Sequence, residues 1–191
     1  MNKRVKSNSI RIIAGDLRGS KIQVNDAEGL RPTTDRVRET LFNWLNYKIV
    51  GSNCLDLFAG SGALGLECIS RGANNVIFVE SNNNAVSALE STIRRLKIEG
   101  SAQVHHLKAS QFLESQPAQA MDIVFLDPPF KSDILEPAID LLSSGGWLHD
   151  NSIIYIEQSS QLDPITLPSN WTQHRQGKAG KSAYSLYYCS T

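Results

Sequence analysis

Nowhere in its 191 residues does the chain hold a run of about 18 apolar residues, so no bilayer-spanning helix is expected. Cysteine is scarce. Cys54, Cys68 and Cys189 are odd in number, widely spaced and set in apolar segments, which argues against a disulfide framework or a metal site and leaves buried thiols. His105 and His106 are adjacent in a strand-like segment, so their side chains should point to opposite faces and share no metal ion. The N-terminal residues Met1 to Ser9 are basic in part, but no apolar core or cleavage site follows them. A signal peptide is therefore not expected, and a cytoplasmic location is. Internal repeats and low-complexity segments are also missing.

Net charge is absent too, with 19 Lys and Arg against 19 Asp and Glu, which at first argues against a nucleic-acid partner. The distribution argues the other way. Residues 1–50 hold ten basic against five acidic side chains, and the rest hold nine against fourteen. A basic arm on an acidic body suits a protein that holds a polyanion with one part and does chemistry in another. The length fits one domain, or one domain with an appendage. We expect a basic extension over 1–50, a hairpin plus a helix, and a catalytic domain over 51–191.

Residues 10–24 contain two short β-branched segments separated by Gly15, Asp16 and Gly19, the pattern of a β-hairpin. Arg11, Arg18 and Lys21 are spread over its arms and turn as candidate phosphate contacts. Val37, Leu41, Trp44 and Leu45 then follow the spacing of an amphipathic helix, with Thr33, Thr34 and Asp35 as cap candidates. Arg36 and Arg38 lie off that stripe and are expected to face a partner.

The rest of the chain is organised around residues 53–65, Asn-Cys-Leu-Asp-Leu-Phe-Ala-Gly-Ser-Gly-Ala-Leu-Gly. This reads as a buried strand, a glycine turn and the start of a helix. Such a junction lets a ligand approach the backbone closely, because glycine removes Cβ and the helix start presents free N–H groups. Gly60, Gly62 and Gly65 also satisfy the dinucleotide fingerprint, so the loop alone does not separate a dehydrogenase from other nucleotide-dependent enzymes. From Asn53 onward strands and helices alternate, implying a doubly wound, mostly parallel sheet. Strands are expected at 76–80, 103–107, 123–126 and 152–157, and helices from 63, over 83–98, around 110–114 and over 133–142. Two strands between Trp171 and Cys189, around a Gly/Lys-rich turn, should form an antiparallel edge. Gly180-Lys181-Ser182 ends like a phosphate-binding loop, but Arg175 stands where its first glycine is required.

In sheets of this kind ligands bind beyond the carboxyl ends of the strands. Asp56, the glycine loop, Glu80, Ala109-Ser110 and Asp127 all fall there, so they should converge on one crevice. Glu80 ends its strand 24 positions after Asp56, where a carboxylate can accept hydrogen bonds from ribose hydroxyls. Asp56 can hold either the loop's N–H groups or a ligand ammonium group. The second of these points to S-adenosylmethionine.

Asp127-Pro128-Pro129-Phe130 follows the apolar strand Ile123 to Leu126. An exocyclic amine on a nucleobase is a poor nucleophile because its lone pair is delocalised into the ring. A carboxylate (Asp127) and a backbone carbonyl (Pro128) can accept its hydrogens, turn the lone pair out of conjugation and stabilise the developing positive charge. Pro129 stiffens the loop, and Phe130 offers a face on which a base can stack.

In that order, Asp56 to Gly65, Glu80 and Asp127 to Phe130 resemble the class I S-adenosylmethionine-dependent amino-methyltransferases. Ile12-Ile13-Ala14-Gly15, Arg18-Gly19, Arg31-Pro32-Thr33 and Arg36-Val37-Arg38-Glu39-Thr40-Leu41-Phe42 resemble the bacterial family that methylates a guanine N2 of 16S ribosomal RNA. The resemblance implies a Rossmann-like α/β fold, S-adenosylmethionine as donor, and a flipped guanine of the small ribosomal subunit as acceptor. By motif position it implies that Asp56, Phe58, Gly60, Ser61, Gly62 and Glu80 line the cofactor. Asp127, Pro128 and Phe130 would be catalytic, with Pro129, Arg11, Arg18, Lys21, Arg36 and Arg38 on the RNA side. Where many relatives of the wider class carry an acid for the adenine amino group, this chain has Ala109-Ser110-Gln111, so Ser110 takes that place. A monomer is expected. DNA adenine-N6 methylation and a non-catalytic RNA-binding assembly role are the alternative readings.

Overall fold

The computed structural model describes residues 8–24, 35–129, 133–163 and 165–190. Among them a small antiparallel sheet, β1 (Asn8–Arg11) with β2 (Lys21–Val24), precedes a seven-stranded sheet. The large sheet contains β3 (Asn53–Asp56), β4 (Asn75–Glu80), β5 (Ala102–His106), β6 (Met121–Leu126), β7 (Leu148–Ser159), β8 (Trp171–Ala179) and β9 (Ser182–Cys189), in the order β5-β4-β3-β6-β7-β9-β8. The first five of these run parallel to one another, and β9 runs antiparallel to both β7 and β8. The order reverses between β3 and β6, so the switch-point crevice opens beyond the carboxyl ends of those two strands.

Alternation along the strands divides the core. Cys54, Val76, Phe78, Ile123, Phe125, Ile153, Tyr155, Tyr184 and Leu186 face one cluster, which the extension joins through Ile12, Ile22 and the helix α1 (Asp35–Leu45). The helices α2 (Ala63–Ser70) and α3 (Asn83–Leu96) cover the same face. Leu55, Val79, Val124, Leu126, Ile154 and Ile156 face the other side, under α4 (Ala109–Leu113) and α5 (Leu135–Ser144). Strands buried on both faces read as apolar runs, which is why they stand out in the sequence.

Local chemistry sets the ends of these elements. The Asn82 side chain caps α3 by accepting the Asn84 and Ala85 N–H groups (2.9 and 3.1 Å), and Lys97 ends it in the left-handed region at φ 58°. The seventh strand is longer than expected. Leu148 already pairs with Met121, an irregularity follows with Asn151 at φ 71°, and pairing with β9 continues to Ser159. Polar and turn residues at 149–151 concealed this from the hydrophobic pattern. All three cysteines are free and buried.

The extension is clamped to α2. Glu67 is fully buried; its Oε2 accepts the Ile13 N–H (2.7 Å), and its Oε1 accepts the Ala14 N–H (3.0 Å) and the Arg71 Nε–H (2.8 Å). Ser70 extends the clamp, its carbonyl accepting the Asp16 N–H (2.8 Å) and its hydroxyl the Leu17 N–H (2.9 Å). Gly15, at φ 81°, permits the contact, since a Cβ there would fall 1.7 Å from the Ser70 carbonyl oxygen.

Arg38 corrects one expectation. It is fully buried, its Nη2 donates to the Arg11 carbonyl (2.9 Å) and to Asp35 Oδ1 (2.6 Å), and its Nη1 stands 4.0 Å from Glu67 Oε2. It therefore does not face a partner. The buried face of α1 is wider than the four-residue stripe and takes in Arg38 and Phe42, which lie four residues apart on one side of the helix. The cap candidates Thr33 and Thr34 and the Arg31-Pro32-Thr33 motif lie outside the described residues.

Candidate active site

Three adjacent strands deliver acids to the same end of the sheet. Asp56 ends β3 and pairs in register with Phe78 of β4 and Phe125 of β6. Glu80 and Asp127 each follow those partners by two residues. With strands roughly 5 Å apart, all three lie within about 10 Å laterally at the switch point. The loop after β3 is tied to both neighbours, Leu57 N–H donating to the Phe125 carbonyl (3.2 Å) and Ala59 N–H to the Val79 carbonyl (2.9 Å).

Within the loop, Gly60 and Gly62 hold φ values of 52° and 76°, a region costly for side-chain-bearing residues. Gly62 is also enclosed, since a Cβ there would lie 2.5 Å from Leu89 Cδ1. Gly65 lets α2 sit against β4, where a Cβ would lie 2.2 Å from the Phe78 ring. Gly60 differs. A Cβ there meets nothing nearer than the Phe58 carbonyl oxygen at 4.0 Å, which leaves the backbone accessible to a ligand. Phe58 and Ser61 are half-buried beside it.

The two carboxylates of β3 and β4 hold this loop from opposite sides. Glu80 Oε2 accepts the Gly60 N–H (2.7 Å), and its Oε1 accepts the Asn82 N–H (2.6 Å) at the start of α3. Half-buried, Glu80 retains lone pairs for ligand hydroxyls. Asp56 is 2% exposed and its Oδ2 accepts the Gly65 N–H (3.0 Å). Burial pushes its carboxyl up to about 7, the Gly65 N–H opposes the shift, and the nearby Glu80 charge adds to it. Of the two roles considered for Asp56, this bond matches the first, holding an N–H group of the loop and helix start.

Asp127 is half-buried, Pro128 buried and Pro129 exposed; Phe130 lies outside the described residues. Ser110 is exposed near the start of α4, beyond the end of β5. Arg11, Arg18, Lys21 and Arg36 are exposed, whereas Arg38 is interior. His105 and His106 diverge, the first packing 5.0 Å from the Phe112 ring and the second placing Nε2 3.1 Å from the Ser81 carbonyl oxygen. Among the described residues no group of His, Cys, Asp and Glu side chains has the arrangement of a metal site.

One polar cluster beside Asp127 was not anticipated. Glu157 accepts the Tyr155 O–H (2.7 Å) and the Ser182 O–H (2.5 Å), all three side chains being buried. Burial raises the Tyr155 phenol well above its ordinary value, and the charges of Glu157 and then Asp127 add to the shift, which puts both acids near that ring. A signal existed: Ser-Ile-Ile-Tyr-Ile-Glu ends in an acid, as Val-Ile-Phe-Val-Glu does at Glu80.

The fold is that of a class I methyltransferase. A solved structure described as a putative methyltransferase from Escherichia coli superposes with a TM-score of 0.87 at 48% identity, covering 96% of this chain and 99% of that one. More distantly, a Thermus thermophilus 16S rRNA N2 G1207 methyltransferase in complex with AdoMet and guanosine shares the fold, with a TM-score of 0.70 at 19% identity over 96% of this chain and 50% of that one. The family model described as conserved hypothetical protein 95 matches residues 10–188. The ribosomal RNA small subunit methyltransferase D of Escherichia coli (strain K12) is 49% identical over 181 residues, 95% of this chain and 90% of that protein. The chain belongs to this family, that of the ribosomal RNA small subunit methyltransferases D.

Proposed function

We infer that the chain transfers the methyl group of S-adenosylmethionine to the exocyclic N2 of a guanine in 16S ribosomal RNA of the small subunit. The observation that carries this reading is the placement of Asp127-Pro128 at the switch point, one strand from a glycine loop held by two carboxylates. The substrate class is supported by the names of relatives with which the chain aligns over nearly its whole length.

The donor supplies an electrophilic methyl group. Gly60, with open space beside its backbone, fits close approach of such a ligand, with Phe58, Ser61 and Gly62 lining the same loop. Glu80 would accept from the ribose hydroxyls while its bonds to Gly60 and Asn82 keep the carboxylate fixed. Asp56 would act from beneath the loop, and Ser110 would accept a hydrogen bond from the adenine edge.

On the acceptor side, the Asp127 carboxylate and Pro128 carbonyl would take the two amino hydrogens and aim the nitrogen lone pair. As the N–C bond would form and the donor's S–C bond break with loss of the neutral thioether, positive charge would grow on that nitrogen, preorganised acceptors would stabilise it without reorienting, and the surplus proton would leave to the Asp127 carboxylate that accepts it. Phe130 would stack on the extruded base and Pro129 would line the entrance. Arg11, Arg18, Lys21 and Arg36 would contact phosphates without reading sequence.

Methyl transfer from labelled S-adenosylmethionine to unmodified small subunits, naked 16S ribosomal RNA and duplex DNA tests the reading. Label recovered as N2-methylguanine in subunits or RNA is the expected result. Label confined to DNA adenine, or none in any acceptor despite cofactor binding, would overturn it.

A further inference from the structure

The C-terminal strands carry a charge pattern that the glycine loop and the tetrad leave unused. Between residues 164 and 191 the only charged side chains are Arg175, Lys178 and Lys181, whereas residues 51–163 hold six basic against fourteen acidic ones. The acidic body therefore ends in an acid-free basic hairpin. Thr172 to Gln176, Lys178, Gly180 and Lys181 are exposed, and β8 forms an outer edge of the sheet.

Register fixes where the hairpin tip stands. Leu126 pairs with Ile156, so the residue after each places Asp127 beside Glu157; Glu157 pairs with Tyr184, and Tyr184 with Gly177. Lys178 and the turn at Gly180-Lys181 lie beyond that line, at the end of the sheet that carries the site. Three interstrand spacings separate β6 from β8, roughly 14 Å, a distance that a few nucleotides of single strand bridge.

The tip is also held rigidly. Ser182 donates to Glu157 (2.5 Å), and the Ser160 N–H donates to the Lys181 carbonyl (2.8 Å). The Tyr184 ring lies so close over Gly177 that a Cβ there would come within 2.6 Å of it, and that ring packs 5.5 Å from Trp44 of α1. A hairpin whose backbone is already held adds no main-chain ordering cost when its two lysines meet a polyanion.

We propose that the β8–β9 hairpin is a second RNA-binding element, in which Lys178 and Lys181, braced by the Glu157–Ser182 contact, grip the phosphates flanking the nucleotide held at Asp127. This rests on the reading of the chain as an RNA methyltransferase. The competing role for lysines on an edge strand is to block edge-to-edge pairing with another copy.

The test compares wild type, a Lys178→Ala/Lys181→Ala variant and a Lys178→Arg/Lys181→Arg variant. Binding to a fluorescein-labelled single-stranded RNA oligonucleotide and to small ribosomal subunits is titrated over a range of salt. The alanine pair is expected to weaken RNA binding about tenfold at low salt and to reduce the slope of log affinity against log salt by about 1.4, as loss of two phosphate contacts on a single strand requires. The arginine pair is expected to restore both. Cofactor affinity and melting temperature, unchanged in each variant, report that the fold is intact.

Affinity and slope equal to wild type in the alanine pair would overturn the proposal, as would loss confined to self-association at high protein concentration. Methyl transfer by the wild-type protein is followed separately. If it modifies no RNA but the alanine pair still loses salt-dependent binding, the enzymatic reading fails and the RNA-binding hairpin stands.

Discussion

At the scale of single residues, the strongest demand falls on Asp127. If its carboxylate orients the amine and stabilises the charge that grows on it, Asp127→Ala should lower the methyl-transfer rate roughly a hundredfold to a thousandfold while cofactor affinity is retained. Single-turnover transfer and equilibrium binding separate the two effects. Asp56 makes a different prediction. Its carboxyl is raised from 3.8 to about 7 in the folded protein, so the folded state binds the proton more tightly than the unfolded chain does. Stability should then be greatest below the unfolded value and fall as pH rises through the window from about 4 to about 7, by up to about 1.4 kcal/mol per pH unit. Asp56→Asn keeps an acceptor for the Gly65 N–H and should flatten that slope, as urea denaturation at successive pH values would show. Gly65→Ala forces a methyl group into the Phe78 ring and should cost about 1–3 kcal/mol in the same measurement.

Among the elements, the contact between the N-terminal hairpin and α2 is the most exposed to disruption. Glu67 satisfies two backbone N–H groups of the 12–15 turn and stands between Arg71 and Arg38. Among the described residues Arg38 Nε and Nη1 have no hydrogen-bond partner, and the guanidinium is balanced by two carboxylates, Asp35 at 2.6 Å and Glu67 at 4.0 Å. Glu67→Ala would take away the only buried one of those two carboxylates and leave the Ile13 and Ala14 N–H groups unpaired. A loss of about 3–5 kcal/mol is expected, with early proteolytic cleavage within residues 8–24. Because α2 begins at the glycine loop, the same helix carries at its start the loop proposed to hold the cofactor and the hairpin along its length. Loosening one end should therefore be visible as weaker cofactor binding.

For the whole molecule, charge is arranged as two basic ends around an acidic body, which a net charge of zero conceals. Arg11, Arg18, Lys21 and Arg36 are exposed on the extension, and their joint replacement by Ala should weaken binding to RNAs of unrelated sequence alike. The salt slope should shrink by up to about 2.8 if each contacts one phosphate. Arg38→Ala is expected to behave otherwise, lowering the melting temperature while leaving the salt slope of the folded protein unchanged. A salt titration and a thermal melt of both variants check the distinction.

Features that are local or covalent in origin can be read from consecutive residues. Apolar runs buried on both faces marked β3, β4 and β6, the glycine spacing marked the turn into α2, and Asp127-Pro128-Pro129 marked the loop after β6, because each follows from a few consecutive residues. The convergence of Asp56, Glu80 and Asp127 was also legible, since parallel strands joined by helices put all their carboxyl ends on one side. The partners were not. Glu80 holding Gly60, Glu67 holding Ile13 and Ala14, and Glu157 holding Ser182 are hydrogen bonds across the chain, and no periodicity encodes them. That Arg38 is interior while Arg36, two residues away, is exposed follows from packing alone. The reason is physical: a cation is stable in the core only where a distant segment brings a carboxylate and a carbonyl to meet it, and that meeting is a property of the packed chain.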